Sequence, residues 1–270
     1  MHFTTLASGS SGNAILVGEG HRHLLVDCGV SGKSLLTNLA QLNIAESEIE
    51  GIIVTHEHID HIRGVGILAR KLKIPVYATA GLWKAMGRSL GKLAGNQCVE
   101  VSASSFTCAG LEVLLYPTSH DSCESYGLKI LRPGKGGQSR LVVGIATDSG
   151  RITDEMNRYL KGCDGFVVEA NYDDEKLHNG PYPAYLKKRI SGHFGHLENS
   201  QLARGLTEWI QENTQRVVLA HLSEENNTPE IALSTVLNIL KESKVSQTCP
   251  EVKVHVAPRH TPHELIILRE

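Results

Sequence analysis

Short runs of apolar residues, separated by turns rich in glycine and serine, recur along most of the chain. Runs of about four to eight residues with continuous or alternating apolar positions are typical of strands. They predict strands at residues 3–7, 14–17, 24–27, 52–55, 76–78, 98–101, 112–116, 125–131, 141–147, 166–169, 217–220, 252–256 and 265–268. A loop rich in proline and glycine, residues 133–137, is predicted to connect two of them as a hairpin.

Apolar residues at helical spacing distinguish a second kind of segment. They predict a helix that begins at Ser31 and further helices at residues 64–72, 199–210 and 229–241. Strand-rich halves interleaved with amphipathic helices indicate an α/β fold in which two sheets carry helices on their outer faces. The polar clusters fall at strand ends, as expected for a site built on a rigid scaffold.

Composition and charge narrow the class of protein. The 270 residues carry a formal net charge of −2, so no global basic field indicates a nucleic-acid partner, and a polyanion would be held by a local patch or by metal ions. The six cysteines include no C-x-x-C pair, which favours reduced thiols and a cytoplasmic location. The N-terminal residues do not resemble a signal peptide, and no apolar run is long enough to predict a membrane span.

A histidine-rich loop follows the apolar residues 51–54. His56, His58, Asp60 and His61 place four metal-capable side chains within six positions. Imidazole and carboxylate together suit zinc, manganese or iron. Four ligands this close would crowd a single ion, so the spacing suggests two ions that share the loop. The alternative is a solvated, histidine-rich helix start.

Three more candidate ligands each end an apolar run. They are His120, Asp148 and His221. One such histidine would most often be structural, and Asp148 alone could be an ordinary turn residue. Three of them together with the histidine-rich loop are hard to explain by packing alone.

In this order, with Asp27 before them, these residues resemble the motifs of the metallo-β-lactamase superfamily. The resemblance implies an αββα sandwich with two divalent metal ions, zinc or manganese with iron as a further option. It assigns His56, His58 and His120 to one ion. Asp60, His61 and His221 hold the other, and Asp148 bridges the two. Asp27 orients the loop, and the ions would share a hydroxide that attacks a phosphodiester.

Three longer segments, residues 6–13, 191–199 and 220–229, are similar to the YycJ/WalJ branch of this superfamily. The similarity runs nearly end to end, so one domain over residues 1–270 is expected. The branch implies a 5′-to-3′ DNA exonuclease that acts on double-stranded ends alongside DNA-repair proteins; no oligomeric state is predicted. Tyr172 and Glu198 depart from the branch pattern and could alter polarity or substrate preference.

The resemblance also gives three residues catalytic roles. Related transfer-RNA 3′-processing nucleases pair a Gly-His segment with an upstream glutamate. By this analogy Glu169 orients His196, which contacts the scissile phosphate or protonates the leaving oxygen, and Asp60 joins them in the catalytic group. The alternative for His196 is a helix-cap histidine that bonds only to the backbone.

Two polar segments are candidates for substrate binding. Ser10, Ser11 and Asn13 could direct hydroxyl and N–H groups at phosphate, or could simply form a polar turn. The basic run of residues 187–189, Lys187, Lys188 and Arg189, could contact DNA phosphates or form a solvated helix face.

Other functions remain open at this point. A hydrolase of a cyclic phosphodiester or a lactone would use the same ligands, and a metal-bound regulatory module is a non-enzymatic alternative. An RNA-processing nuclease is a further option, because nothing in the motifs reads the 2′-hydroxyl. The chain lacks the large inserted domain of the β-CASP enzymes, which weakens the RNA option.

Overall fold

Two seven-stranded sheets form the centre of the structure, a computed structural model that describes residues 1–102, 105–134 and 139–270. The strands are β1 (His2–Ala7), β2 (Ala14–Glu19), β3 (Arg22–Val26), β4 (Ile49–Ile53), β5 (Val76–Ala78), β6 (Cys98–Glu100), β7 (Phe106–Cys108), β8 (Leu111–Pro117), β9 (Tyr126–Arg132), β10 (Leu141–Ala146), β11 (Gly165–Glu169), β12 (Arg216–Ala220), β13 (Lys253–Val256) and β14 (Ile266–Ile267). Their order is β14-β1-β2-β3-β4-β5-β6 in one sheet and β13-β12-β11-β10-β9-β8-β7 in the other.

Helices cover the outer faces of both sheets. They are α1 (Gly32–Gln41), α2 (Ile59–Ile62), α3 (Val65–Leu72), α4 (Ala80–Met86), α5 (Asp154–Leu160), α6 (Asp174–Asn179), α7 (Ala184–Ile190), α8 (Asn199–Trp209), α9 (Pro229–Glu242) and α10 (Val245–Thr248). Within the described ranges, none of them combines the length and apolar character needed to cross a bilayer.

The two sheets repeat one pattern of strand directions. In the first, β1, β2 and β3 are antiparallel neighbours, and β4, β5 and β6 then continue parallel to β3. In the second, β8, β9 and β10 are antiparallel, and β11, β12 and β13 continue parallel to β10. This likeness lies in strand direction, and the amino-acid sequence shows no corresponding short repeat.

Three apolar layers hold the sheets and helices together. Phe3, Leu24 and Val218 belong to the layer between the sheets, where β-branched and aromatic side chains from both inner faces meet. Leu35 and Leu68 pack against the outer face of the first sheet, and the fully buried Trp209 packs against that of the second. The predicted αββα sandwich is thus confirmed.

Most predicted elements are present, and the differences have local causes. The strand predicted at 52–55 ends at Ile53, because Val54 and Thr55 already belong to the loop that carries the histidines. The strand β7 and the helices α2, α4, α5, α6, α7 and α10 were not predicted. Each is short, and α7 buries none of its residues, so it has no apolar stripe facing the core. The predicted hairpin loop joins the antiparallel strands β9 and β10, although its residues 135–137 lie outside the described ranges.

A pair of histidines away from the candidate site makes stability depend on pH. Burial lowers the pKa of His2 to about 4, and the positive charges of His23 and the N-terminus add to this effect while Glu19 and Glu48 oppose it. Burial also lowers the pKa of His23. In the unfolded chain these rings take up protons near pH 6.5. Their neutral folded forms therefore favour folding above pH 6.5, and that contribution is lost as the pH falls from 6.5 toward 4.

We expect a His2→Gln variant to lose part of this pH dependence. Its unfolding free energy should fall less than that of the wild type between pH 7 and pH 5, as measured by urea unfolding at both values. His260→Gln removes an exposed histidine instead and should keep the wild-type slope. Equal slopes for wild type and His2→Gln would contradict the assignment.

Candidate metal centre

The predicted ligands converge at one edge of the two sheets, because each follows the carboxyl end of a strand. Asp27 follows β3 and the histidine-rich loop follows β4 in the first sheet. His120, Asp148 and His221 follow β8, β10 and β12 in the second. These strands run in the same direction within each sheet, so their ends present side chains to a common point.

Three of the residues at this edge have a left-handed backbone. The φ angles are 61° at Asp27, 58° at Asp148 and 56° at His221. Such a conformation is uncommon for residues other than glycine, and it occurs where the surrounding structure enforces it. Here it turns the chain sharply at the strand end, which directs each of these side chains toward the shared edge.

The first cluster consists of His56, His58 and His120, whose nearest ligand atoms all lie within 4.8 Å of one another. His120 Nε2 is 3.2 Å from His58 Nδ1. The other ring nitrogen of His120 donates to the carbonyl of Gly195 at 3.0 Å. His56 Nδ1 lies 3.1 Å from the hydroxyl of Thr55. These contacts hold the rings with one nitrogen of each facing the same point.

The second cluster consists of Asp60, His61 and His221. Asp60 Oδ2 is 3.7 Å from His61 Nε2 and 3.6 Å from His221 Nε2. The remaining ring nitrogens donate to buried carboxylates, His61 Nδ1 to Asp27 at 2.7 Å and His221 Nδ1 to Glu169 at 2.8 Å. Asp27 also accepts from the backbone and hydroxyl of Thr55, which ties the strand end to the loop.

Asp148 lies between the two clusters. Its Oδ2 is 3.2 Å from His61 Nε2, and its Oδ1 is 3.8 Å from His120 Nε2 and 3.2 Å from His221 Nδ1. The residue is 1% exposed, so the carboxylate is fully enclosed by these histidines. The structure thus brings together all seven predicted ligands, with the predicted bridging residue at their centre.

The donor atoms fit metal ions. Among the described residues, His56 Nε2, Asp148 Oδ2 and His221 Nε2 are buried and make no hydrogen bond. Buried polar atoms of this kind are costly to leave unsatisfied, and a cation that they ligate would satisfy them. Nitrogen and carboxylate oxygen donors suit zinc, manganese or iron, with no thiolate among the seven side chains.

The charges in the site support the same interpretation. Burial lowers the pKa of His221, but the neighbouring carboxylates of Asp148, Asp60 and Glu169 outweigh this effect and raise the pKa to about 10. Burial is likewise outweighed at His61, where Asp148 and Asp27 raise the pKa well above its usual value. Carboxylate charge therefore exceeds the positive charge available, and a divalent cation would replace these protons.

Glu169 connects the ligand clusters to His196. It ends β11, is fully buried, and its Oε1 accepts from both His196 Nδ1 at 2.7 Å and His221 Nδ1 at 2.8 Å. Its Oε2 accepts from the backbone of Ser149 at 3.0 Å and Leu197 at 3.2 Å. Although burial opposes ionisation, the charge of His196 and the hydrogen bonds from both histidines lower the pKa of Glu169 to about 2. The carboxylate is therefore ionised and holds both rings in place.

The glycine- and serine-rich turn packs against the clusters, but its residues differ in position. Ser10 and Ser11 are exposed at its tip. Asn13 is buried, with its amide nitrogen 3.1 Å from His61 Nε2 and 3.4 Å from Asp60 Oδ2. The buried Ser8 hydroxyl accepts from the backbone of His221 at 2.7 Å. Ser10 and Ser11 are thus open to a substrate, whereas Asn13 supports the candidate ligands.

The basic run forms the last turn of α7, and its members have different neighbours. Arg189 Nε donates to Asp121, which follows His120, at 2.6 Å. Lys187 Nζ donates to the carbonyl of His178 at 2.6 Å. Lys188 is exposed and makes no ion pair with the described residues. The pair with Asp121 places the end of this helix beside the first cluster.

The two positions that depart from the branch pattern, Tyr172 and Glu198, lie next to each other in space and make contacts within the protein. Tyr172 is 4% exposed, and its carbonyl accepts from the backbone of Asn199. Glu198 caps helix α8 by accepting from the backbone of Ser200 at 2.8 Å and Gln201 at 3.0 Å. The expected effect on polarity or substrate preference therefore has no direct contact to support it.

Several supporting residues were not found from the sequence. Thr55 joins Asp27 to His56, Asp121 lies 3.5 Å from His120 Nε2, and Gly195 orients His120 through its carbonyl. Thr55 and Asp121 each adjoin a predicted ligand in sequence, which was the available signal. Gly195 acts through its backbone, so no residue type indicates its role.

Comparison with known proteins agrees with this architecture. Residues 22–222 match the family model of the β-lactamase superfamily domain. The chain is 39% identical over 245 residues to Exodeoxyribonuclease YycJ of Bacillus anthracis, with 90% of each chain covered. It is 35% identical over 260 residues to Exodeoxyribonuclease WalJ of Streptococcus pneumoniae, covering 92% of this chain and 94% of the relative.

A solved structure gives the same result for the fold. The metallo-β-lactamase fold protein YhfI from Bacillus subtilis superposes with a TM-score of 0.69 at 16% identity, covering 97% of this chain and 98% of that one. Family model, sequence identity and fold therefore agree, and the chain belongs to the metallo-β-lactamase superfamily, in the family that contains YycJ and WalJ.

Proposed function

We propose that this hydrolase is a two-metal phosphodiesterase that removes nucleotides from the 5′ end of DNA. The observation that carries the proposal is the pair of ligand clusters with Asp148 between them and the Glu169–His196 pair beside them. The relatives named exodeoxyribonuclease support a DNA substrate. Residues 1–270 would act as one domain, since β14 pairs with β1.

Seven side chains would hold the two ions. His56, His58 and His120 would bind one, Asp60, His61 and His221 the other, and Asp148 both. Zinc or manganese fits these donors, with iron as a further option. When bound, such ions neutralise charge on a phosphate and lower the pKa of water, so that a nucleophile is available at neutral pH.

His196 is suited to protonate the leaving oxygen. Its Nδ1 is held by the ionised Glu169, and its Nε2 makes no hydrogen bond to the described residues. The side chain is 22% exposed, so Nε2 is open to a substrate. Because Glu169 holds Nδ1, the ring presents Nε2 to the substrate, and a proton on Nε2 can pass to the departing 3′ oxygen.

Exposed groups around the site would bind the DNA backbone. Ser10 and Ser11 lie on the turn beside the second cluster, and Lys188 lies on the helix beside the first. Arg189 already donates a hydrogen bond to Asp121, so it would bind a phosphate only with its remaining N–H groups or by giving up that contact. We further propose that double-stranded ends are the physiological substrate and that the activity serves DNA repair with other repair proteins.

The decisive experiment follows the release of label from DNA. Linear duplexes labelled at either the 5′ or the 3′ end are incubated with the protein and manganese or zinc, with covalently closed circular DNA and a linear RNA of the same sequence in parallel. We expect metal-dependent release of the 5′ label from linear DNA before the 3′ label, and no cleavage of the circle. Intact DNA alongside hydrolysis of RNA or bis-p-nitrophenyl phosphate would contradict the proposed substrate while leaving the metal site.

We expect His196→Ala to lower kcat by about 10²-fold or more, because general acid catalysis by one side chain contributes that much. Metal content should stay at the wild-type level, since His196 is not among the seven assigned ligands. Turnover of end-labelled DNA and elemental analysis of the purified protein measure both quantities.

The neighbouring His193 provides a matched control. Its side chain is exposed, and only its carbonyl, which accepts from Ser119, takes part in the packing of the loop. His193→Ala should therefore keep near wild-type turnover. Loss of metal in His196→Ala, or an equal loss of turnover in both variants, would contradict the role assigned to His196.

A further inference from the structure

Two exposed aromatic rings lie next to the candidate metal centre. Phe194 is 62% exposed and Tyr185 is 76% exposed, and both belong to the segment that leads into His196. Among the described residues neither ring has an aromatic partner, and the Tyr185 hydroxyl makes no hydrogen bond. Exposed aromatic rings without a packing role are candidates for binding.

The backbone around Phe194 is fixed by the site itself. The carbonyl before it, on His193, accepts from Ser119 at 2.8 Å, and the carbonyl after it, on Gly195, accepts from His120 at 3.0 Å. A Cβ atom at Gly150 would lie 2.3 Å from the Gly192 carbonyl, so this loop packs backbone against backbone. The Phe194 ring is consequently excluded from the interior and held beside His196.

Tyr185 has a fixed place as well. Residues three and four positions apart share a face of a helix, so Tyr185, Lys188 and Arg189 lie on the same face of α7. The contact of Arg189 with Asp121, the residue after His120, turns this face toward the first ligand cluster. An aromatic ring and an exposed lysine therefore lie on the side of α7 that faces the metal centre.

Rings and cations in this arrangement suit one class of ligand. Successive unpaired bases stack on exposed aromatic side chains while basic residues follow the phosphates. A base inside a duplex has both faces covered by its neighbours and can stack on a protein ring only if the duplex is opened or unstacked there. The exposed Lys188 on the same helix face as Tyr185 suits the phosphates of such a strand.

We propose that Phe194 and Tyr185 form a stacking platform for unpaired bases of a DNA strand whose scissile phosphate lies at the metal centre. This inference rests on the proposed function and specifies the form of its substrate. At a double-stranded DNA end, the enzyme would act on a strand whose terminal bases have left the duplex, as in an overhang or a frayed terminus.

The test combines alanine variants, which lack an aromatic ring, with abasic DNA strands, which lack a base, so that each loss is measured alone and together with the other. Single-stranded DNA labelled at its 5′ end is prepared intact and as a series in which an abasic nucleotide replaces each of the first few positions in turn. Degradation of every strand is measured for the wild type, Phe194→Ala and Tyr185→Ala. Phe194→Tyr keeps a ring, and Ile267→Ala removes an exposed apolar side chain at the far end of β1 from the site.

For the wild type we expect one abasic position to lower kcat/KM roughly tenfold, the effect of losing one stacked base. Phe194→Ala should lose a similar factor on intact DNA and no further factor on that abasic strand. Tyr185→Ala should behave in the same way at a neighbouring position. Phe194→Tyr and Ile267→Ala should match the wild type on intact DNA, and blunt duplex should be degraded more slowly than single strands.

The inference would be overturned if the ring and the base acted independently. In that case the abasic position would lower kcat/KM of Phe194→Ala by the same factor as it lowers that of the wild type. A Phe194→Ala variant that degrades intact DNA as fast as the wild type would also show that the ring does not contact the base. If the wild type fails to degrade DNA at all but hydrolyses bis-p-nitrophenyl phosphate, the proposed function has failed rather than the stacking platform alone.

Discussion

Replacing Asp148 by asparagine is expected to lower kcat/KM by about 10³-fold or more, since a bound metal ion supplies several kcal/mol of transition-state stabilisation. The substitution removes the charge that faces His61, His120 and His221 while keeping the size of the side chain. Asparagine also tolerates the left-handed backbone at this position, where φ is 58°. The change therefore acts on the site and leaves the fold in place.

Metal content and turnover are measured on the same preparation of Asp148→Asn. We expect fewer than two equivalents of metal and no detectable release of the 5′ label. His61→Ala, which removes a ligand of the second cluster, should give the same result. Asp154→Asn changes an exposed aspartate at the start of α5 and should match the wild type. An Asp148→Asn enzyme within tenfold of the wild type would exclude a bridging role.

Glu169→Gln is expected to have the next largest effect, because one carboxylate supports two histidines. Oε1 accepts from His196 and His221, and Oε2 accepts from two backbone N–H groups. An amide must direct its NH₂ group at donors on one side or the other, so at least one pair of hydrogen bonds is lost. Removing the carboxylate that supports a ligating histidine typically lowers metal affinity by about 10–100-fold.

Two measurements separate the two roles of Glu169. Titration with a competing chelator should show the weaker metal binding of Glu169→Gln. At saturating metal, kcat should still fall by about 10²-fold or more, because His196 loses the partner that holds its ring in position for proton transfer. In the double variant with His196→Ala, the kcat losses should be far from multiplicative, since both changes disable the same proton donor. Multiplicative losses would show that Glu169 acts only through the metal.

The fold was predictable where apolar patterning is strong. Helices α1, α3, α8 and α9 bury a regular stripe of leucine and similar residues, and each lies where the spacing predicts it. Helix α7 has no such stripe because none of its residues is buried. The repeated pattern of strand directions in the two sheets could not be predicted either. The direction of a strand relative to its neighbours depends on long-range pairing, which local residue types do not encode.

The candidate site was predictable as a set of residue types but not as a set of contacts. The histidine-rich loop supplies four of its side chains in one short segment, so their proximity follows from the sequence. Other contacts depend on how separate loops at the strand ends meet. Glu169 accepts hydrogen bonds from both His221 and His196, and Arg189 pairs with Asp121. Only the assembled sheets determine such contacts.

The distribution of the site over both sheets has a consequence for the order of events during synthesis. The histidine-rich loop belongs to the first sheet, whereas His120, Asp148 and His221 belong to the second. At about 5–20 residues per second, the loop leaves the ribosome roughly 10–30 s before His221 does. During that interval the nascent chain offers an incomplete and unselective chelate. In the proposed enzyme, stable metal uptake therefore waits until the second sheet has been made, and the ions available at that stage determine which metal the chain acquires.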